Sequence, residues 1–175
     1  QTTMGAVAQT DQAIINEAHT KGLIVPDKRY DRDSTQAAGA YVATPKKGMH
    51  KWVGSIDLNS LYPHIIMQYN ISPEKMQRGL TDTSVEKLFN KETIVDGALG
   101  ITPNGARFSN DKQGFLPELM QKFYDERKMW KGKMIGYQKE LQTCTDRKRK
   151  NELNTLIKRS YNNQQVRKIA LNSAY

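Results

Sequence analysis

Residues 51–66 read KWVGSIDLNSLYPHII, and this stretch carries the strongest structural signal in the chain. The apolar run over 51–58, with the acid Asp57 near its end, predicts a buried strand. Pro63 predicts the start of a short helix over 64–69, because the first helical residues need no N–H partner. A strand that leads into a helix indicates an α/β body.

Asp57 is the sharpest candidate for chemistry in the sequence. Ligands of α/β folds gather at the carboxyl ends of strands. A carboxylate at such an end can bind a hard cation such as Mg²⁺, and the N–H groups of the following helix start can bind phosphate oxygens. This arrangement suits a metal–triphosphate complex. The alternative interpretation is that Asp57 only caps a turn.

Shorter elements are predicted elsewhere in the first two thirds of the chain. Turn and capping residues mark their ends. They are a helix over 11–21 between Thr10 and Gly22, a polar linker over 26–38, a brief strand from Gly39 to Val42, a short helix after the capping pair Thr83 and Glu86, and a β-hairpin over 98–109 with Asn104–Gly105 as its turn.

Two long helices are predicted in the last third. Pro117 marks the start of the first helix, which should run to about Gln142, and Asp146 is a plausible cap for the second. Apolar residues recur at helical spacing on both: Met120, Phe123, Trp130, Met134, Tyr137 and Leu141 on the first, and Leu153, Leu156, Ile157, Gln164 and Leu171 on the second. A tight turn between them predicts a long antiparallel two-helix hairpin.

The positive charge is concentrated in that hairpin. The chain has 27 Lys and Arg against 18 Asp and Glu, a net charge of +9. After residue 115 there are 14 basic and 6 acidic residues, which leaves 13 and 12 before it. Such a field favours a polyanion: nucleic acid, nucleotide phosphates or an acidic membrane surface. The alternative is a solvated helix surface, and we interpret the basic run 147–150 as solvated or as electrostatic steering.

Several classes of protein are excluded by composition. The 37% of hydrophobic residues is enough for a core, so wholesale disorder is not expected. The apolar runs are far shorter than the ~20 residues of a membrane span. A single cysteine, Cys144, excludes an intrachain disulfide and a thiolate zinc site.

Two separate motifs resemble family B DNA polymerases. Asp57 to Ile66, DLNSLYPHII, resembles the first palm motif of that family, which is an Asp, two variable residues and SLYPSII. Lys168 to Tyr175, KIALNSAY, resembles its fingers motif, which is a Lys, three residues and NSxYG. Between them, residues 114–131 resemble the start of the fingers. Residues 70–74, NISPE, are most similar to the tailed-bacteriophage members.

The resemblance implies an α+β fold: a partial polymerase palm with an antiparallel sheet, and the two-helix hairpin as fingers. Residues 1–38 would connect an exonuclease to the palm, residues 39–113 would be the first part of the palm, and residues 114–175 would be the fingers. Two departures from the family pattern stand out: His64 replaces a serine, and Ala37 replaces a template-contacting tyrosine.

The resemblance also implies a metal site and a sugar gate. Asp57 through its carboxylate and Leu58 through its carbonyl would bind two Mg²⁺ ions, with the second carboxylate ligand outside this chain. Ser60 and Leu61 would offer backbone N–H groups to a triphosphate. Tyr62 would be the steric gate that leaves no space for a 2′-hydroxyl; the alternative is a core aromatic residue.

Further nucleotide contacts are implied on the hairpin. Arg127 and Lys131 are four residues apart and share a helix face. By resemblance they bind the incoming triphosphate together with Lys168 and Asn172. In the same way, Ser173 and Tyr175 would face the nascent base pair. The alternative for each cation is a solvated surface residue.

The resemblance implies a DNA-directed DNA polymerase that adds dNMP to a primer by two-metal phosphoryl transfer in phage replication. Expected partners are primer–template DNA, dNTP, and the remaining palm, thumb and exonuclease of the same polypeptide. A sliding clamp is an optional partner, no membrane is involved, and the location would be the cytoplasm of the infected bacterial host. We expect the isolated fragment to be inactive. The alternatives are a non-catalytic nucleic-acid-binding module and one subunit of a split polymerase.

Overall fold

The computed structural model describes residues 5–25, 42–93 and 97–174. In chain order the elements are α1 (Ala6–Thr20), α2 (Leu61–Gln68), β1 (Met76–Gln77), α3 (Val85–Phe89), β2 (Leu99–Ile101), β3 (Arg107–Ser109), α4 (Phe115–Thr143) and α5 (Arg147–Asn172), with a 3₁₀ turn at Pro73–Lys75. The predictions for the linker over 26–38, for residues 39–41 and for Tyr175 lie outside the described residues.

The predicted helical hairpin is confirmed as α4 and α5. Pro117 is the third residue of α4 rather than the first, a position that still needs no N–H partner. Asp146 caps α5, because its carboxylate accepts hydrogen bonds from the backbone N–H groups of Lys148 at 3.1 Å and Arg149 at 3.2 Å. The 29 residues of α4 correspond to a rod of about 44 Å.

The hydrophobic core lies at the base of the helical hairpin. Met120 and Leu171 are buried with Leu119. Ile14 of α1 and Ile66 of α2 pack against this cluster. Burial of apolar side chains at a four-helix junction therefore orients α1 and α2 relative to the base of α4 and α5.

A clasp of three side chains, Asn70, Ser72 and Glu74, holds the start of α4. The carboxamide oxygen of Asn70 accepts a hydrogen bond from the Gly114 N–H at 2.8 Å, and Glu74 accepts one from the Phe115 N–H at 2.7 Å. Ser72 accepts a longer bond of 3.4 Å from the third N–H. Helices leave these first N–H groups without partners, so the clasp replaces a local cap. A Cβ at position 114 would lie 2.6 Å from Ser72 Cβ, so this close approach needs glycine.

The small sheet has the order β1-β3-β2 and is antiparallel throughout. The predicted β-hairpin is confirmed as β2 and β3. Its turn contains Gly105 at φ +84°, and an added Cβ there would lie 2.3 Å from the Thr81 carbonyl oxygen. The turn therefore requires glycine both for its backbone conformation and for space.

The prediction of a buried strand over 51–58 is wrong. This segment pairs with no strand among the described residues, and its side chains are exposed, with Trp52 at 101% and Ile56 at 93%. A strand needs neighbours for its N–H and C=O groups. The described sheet forms instead between β1, β2 and β3.

Three helix starts also differ from the prediction. α1 begins at Ala6, so Thr10 lies inside it and donates its hydroxyl to the Ala6 carbonyl at 2.9 Å. Ser84, not Thr83, caps α3 by accepting from the Lys87 N–H. α2 begins at Leu61, two residues before Pro63. Only at α3 do two capping residues of the same chemical type stand side by side; the starts of α1 and α2 have no side-chain cap.

Candidate functional site

The segment that follows Asp57 turns sharply into α2. Ser60 is the N-cap of α2 and adopts the left-handed conformation, with φ 53° and ψ 45°. This conformation is uncommon for residues other than glycine. It begins α2 immediately after residues 57–59, so the N–H groups of the first helical turn stand close in sequence to the Asp57 carboxylate.

Arg127 joins α4 to this turn. Its Nη1 donates a hydrogen bond of 3.1 Å to the Ser60 hydroxyl oxygen. The side chain is partly buried, and its Nε has no hydrogen-bond partner among the described residues. A guanidinium has five donors, so Arg127 retains capacity for an anion.

A cleft of about 130 Å³ opens beside this contact. We call it the cationic cleft, and its lining residues are Asn59, Tyr124, Arg127, Lys128 and Lys131. Three of the five carry positive charge and none is acidic. Cations that converge on one cleft create the field that a phosphate group requires.

Tyr124, which lines the cationic cleft, packs against His64 of α2. Their rings meet edge to face with centroids 4.8 Å apart, and His64 Nδ1 lies 2.9 Å from the Ser60 carbonyl oxygen. The histidine that replaces the family's serine therefore packs at the site.

Sequence reasoning missed Asn59, Tyr124 and Lys128. For the last two, the signal was the helical spacing i, i+4, i+7 over 124, 128 and 131.

The two sides of the helical hairpin differ in character. Glu126 and Arg127 point about 100° apart on α4, on either side of the packed residue Phe123. Glu126 Oε2 accepts a hydrogen bond of 2.9 Å from Arg167 Nε on α5. This ion pair occupies one side of the hairpin, so Arg127 and Lys131 lie on the other side.

Helix periodicity places Lys168 on the same side as Arg127. On α5, the buried Gln164 lies between the directions of Arg167 and Lys168, as Phe123 does on α4. Asn172 follows one turn after Lys168 and is exposed like it. Lys168 does not line the cationic cleft itself. The structure thus brings Arg127, Lys131 and Ser60 together and leaves Lys168 on the same side, nearer the end of α5.

Most of the remaining predicted site residues lie on or near the start of α2. Leu58 is exposed, and Leu61 and Tyr62 are about half exposed. The 51% exposure of Tyr62 argues against the interpretation as a core aromatic residue. Ser173 follows the end of α5 and is partly buried.

The described residues do not form a complete metal site. They contain no group of three or more His, Cys, Asp or Glu side chains that could hold a metal ion. Asp57 would therefore need further ligands from elsewhere. In the described part of the chain, no helix is long and apolar enough to cross a membrane.

Comparison with known proteins gives a consistent picture. A profile described as DNA polymerase family B matches residues 2–175. The chain is 30% identical over 141 residues to the DNA-directed DNA polymerase of Escherichia phage RB69, a match that covers 79% of this chain and 15% of the relative. It is 29% identical over 134 residues to that of Enterobacteria phage T4, which covers 76% of this chain and 15% of the relative.

A solved structure supports the predicted fold class. The structure of the family B DNA polymerase from the archaeon Pyrobaculum calidifontis matches 97% of this chain, with a TM-score of 0.55 and 20% identity. The match covers 19% of that protein. The mixed fold of a small antiparallel sheet and two long helices is thus confirmed, and the chain spans about one seventh of the curated relatives it matches.

Proposed function

Because this chain belongs to DNA polymerase family B, we propose that it supplies the nucleotide-binding part of a DNA-directed DNA polymerase. The reaction is addition of dNMP to the 3′ end of a primer on a DNA template. The observation that carries the proposal is the hydrogen bond from Arg127 to Ser60. It joins the cationic side of α4 to the turn that follows Asp57.

In this proposal the triphosphate lies in and beside the cationic cleft. Arg127 and Lys131 bind its phosphate oxygens, and Lys168 and Asn172 reach it from the same side of α5. The backbone N–H groups of Ser60 and Leu61 bind it from below. These charges oppose the negative charge that develops during phosphoryl transfer. Ser173 and Tyr175 face the nascent base pair.

Asp57 and the Leu58 carbonyl fit a divalent-cation site in chemistry, since both offer oxygen ligands. Two Mg²⁺ ions bound there would activate the primer 3′-oxygen and stabilise the leaving pyrophosphate. The described residues contain no group of three or more side chains that could complete the site, so in this proposal a second carboxylate comes from another part of the complete polymerase. For the same reason we propose that the 175-residue chain alone is inactive.

Tyr62 stands in the first turn of α2 with its side chain half exposed. In this proposal its ring lies under the sugar of the nucleotide and excludes a 2′-hydroxyl. Steric exclusion of one small group is typically worth about 10- to 200-fold in selectivity. The variant Tyr62→Ala should therefore raise ribonucleotide incorporation, and Tyr62→Phe should leave it low.

The decisive experiment replaces Asp57 in a complete polymerase, obtained by supplying the missing palm and thumb. Asp57→Ala should lower primer extension by about a thousandfold, because metal clamps contribute several kcal/mol to such reactions. Asp82→Ala is the matched control, since Asp82 is an exposed acid whose partner is Lys87. Extension that persists in Asp57→Ala would contradict the metal assignment.

A second candidate function is a non-catalytic nucleic-acid-binding module. It is favoured by the basic helical hairpin, since 14 basic and 6 acidic residues follow residue 115. The same assay separates the two, because a binding module would show no metal-dependent extension in any complete assembly.

The biological setting is a further part of the proposal. Replication of phage DNA in the cytoplasm of an infected bacterium is supported by the similarity to the RB69 and T4 polymerases. In that setting the partners are primer–template DNA, dNTP, the rest of the same polymerase and, as an option, a sliding clamp.

A further inference from the structure

One face of α5 is cationic and polar from the tip of the helical hairpin to its base. We call it the α5 stripe, and its residues are Arg147, Lys150, Asn154, Lys158, Tyr161 and Gln165. Their spacing of three or four residues places them on a single helix face. All six are exposed or partly exposed. The next steps of the same spacing are Lys168 and Asn172.

The α5 stripe has no acidic residue. Glu152 is the only acid of α5, lies on another face and pairs with Arg149 at 3.2 Å. Among the described residues, the ion pairs of the helical hairpin use Arg149 and Arg167, which both lie off the stripe. A helix surface that is merely solvated usually mixes both signs of charge. The cations of the stripe are therefore available to an external anion.

The chemistry of the stripe fits a nucleic-acid backbone better than other polyanions. Lys, Arg, Asn, Gln and Tyr are the side chains that contact phosphate and sugar groups. Gln165 Nε2 donates a hydrogen bond of 3.0 Å to the Tyr161 hydroxyl, which orders the two polar groups side by side. Lys150 and Lys158 in the middle of the stripe are of a residue type that is depleted at protein interfaces.

The length of the stripe, and the side of the helical hairpin on which it lies, also fit a single nucleic-acid strand. From Arg147 to Gln165 it extends about 27 Å, close to eight nucleotides at about 3.4 Å per nucleotide. It lies on the same side of the helical hairpin as Arg127 and Lys131. The cationic surface therefore continues from the cationic cleft to the tip of the hairpin.

We propose that the α5 stripe is a DNA-binding surface that holds one strand by its sugar–phosphate backbone, independently of sequence. The identification of that strand as the template rests on the proposed polymerase function. The binding itself does not, because it requires neither Asp57 nor a metal ion. This surface is separate from the nucleotide contacts proposed above.

The test measures binding of the 175-residue chain to a fluorescein-labelled 20-nucleotide thymidine strand and to a 20-base-pair duplex. Fluorescence anisotropy is recorded between 50 and 300 mM salt. The stripe variant is Lys150→Gln/Lys158→Gln. The matched control is Lys148→Gln/Arg159→Gln, which removes the same charge from exposed positions of another face of α5. Circular dichroism verifies that both variants keep the helix content of the parent chain.

The stripe variant should lose about tenfold in affinity for the single strand at 0.1 M salt. Its plot of log affinity against log salt should be shallower by about 1.4, since each phosphate contact to a single strand contributes about 0.7. The control should change by less than a third of these amounts. A larger loss on the duplex than on the strand would assign the surface to duplex DNA and still support the proposal.

Two results would overturn it. These are equal losses in both variants and no DNA binding by the parent chain. Asp57→Asn distinguishes the two proposals: it should leave DNA affinity of the chain intact while it removes primer extension in the complete polymerase. Failure of one proposal therefore leaves the other standing.

Discussion

The helical hairpin and the extended segment 42–58 are the two extremes of this molecule. In the hairpin, α4 and α5 satisfy their own backbone groups and bury one stripe of each helix, with Leu153 fully inside. In the segment, Trp52 and Ile56 are exposed, and its backbone pairs with no strand among the described residues. The fraction of apolar residues is similar in both, but only in the hairpin do the apolar side chains have neighbouring side chains to pack against.

This difference indicates which part of the chain provides its stability. A helix makes its hydrogen bonds within itself, and a tight turn at 144–146 brings the second helix alongside the first. An extended segment makes neither contact on its own. We therefore expect folding free energy to be concentrated in the hairpin and in the core at its base, and to be almost independent of the segment.

The largest expected effect is the contrast between a core residue of the hairpin and an exposed residue of the segment. Leu153→Ala should lower the free energy of unfolding by about 2–4 kcal/mol, because it leaves a cavity in a packed site. Trp52→Ala should change it by less than about 0.5 kcal/mol, since that ring is fully exposed. Urea unfolding of the chain measures both. Similar values for the two variants would contradict the expectation that the hairpin, and not the segment, carries the stability.

The clasp should be the next most sensitive feature. The buried Asn70 donates to the carbonyl oxygens of Ser109 at 2.6 Å and Lys112 at 2.9 Å and accepts from Gly114. Asn70→Ala leaves buried polar groups unsatisfied and should cost about 2–3 kcal/mol. Hydrogen exchange should quicken at the first amides of α4. Asn162→Ala, at an exposed position of α5, is the control: it should leave hydrogen exchange in α4 unchanged and should not lower stability, since Ala has the higher helix propensity.

Substitution of two glycines by alanine should change stability in opposite directions. Gly105→Ala should destabilise by about 1–3 kcal/mol, because φ is +84° and the Thr81 carbonyl blocks a Cβ. Gly132→Ala, inside α4 with nothing within 4 Å of the added Cβ, should stabilise by up to about 1 kcal/mol. Thermal unfolding of the two variants measures both shifts. Destabilisation by Gly132→Ala would show that the hairpin has a crowded surface there.

The smallest effect concerns acid sensitivity next to the clasp. Hydrogen bonds from Lys75 and then Ser109 hold the pKa of Asp111 well below its usual range. Because the folded-state pKa is lowered, this contribution to stability is complete above the unfolded pKa of about 3.9 and is lost as pH falls through the folded value. Lys75→Gln should raise the pKa of Asp111, as NMR titration would show. An unchanged pKa would exclude Lys75 as the main cause.

Sequence reasoning predicted the helical hairpin well, and for a physical reason. Periodic apolar residues, Pro117 at the start and Asp146 as a cap are local signals, and each acts within one or two helical turns. The β-hairpin at 99–109 was predicted for the same reason, through Asn104–Gly105. The family motifs at 57–66 and 168–175 were equally visible in the order of residues.

The errors occurred where contacts are distant in the chain. The strand predicted over 51–58 needs neighbours that a run of apolar letters cannot supply. The clasp joins residues 70–74 to 114–116 across more than 40 positions, and no local pattern marks such a cap. The start of α1 at Ala6 was missed by five residues, because its N-cap Gly5 has no capping side chain. The cap of α3 was missed by one residue, because Thr83 and Ser84 are adjacent candidates.

The site divides in the same way. The order of residues in the chain was sufficient to name Asp57, Ser60, Arg127, Lys131 and Lys168 as candidates, because charge, spacing and the family motifs are read along the chain; their roles stay predictions. That Arg127 touches Ser60, that Lys128 and Tyr124 line the cationic cleft, and that Lys168 shares its side of the hairpin depend on how α4 packs on α2 and α5. Those contacts exist because burial of Met120 and Leu171 orients whole helices, and such orientation is a property of the folded core.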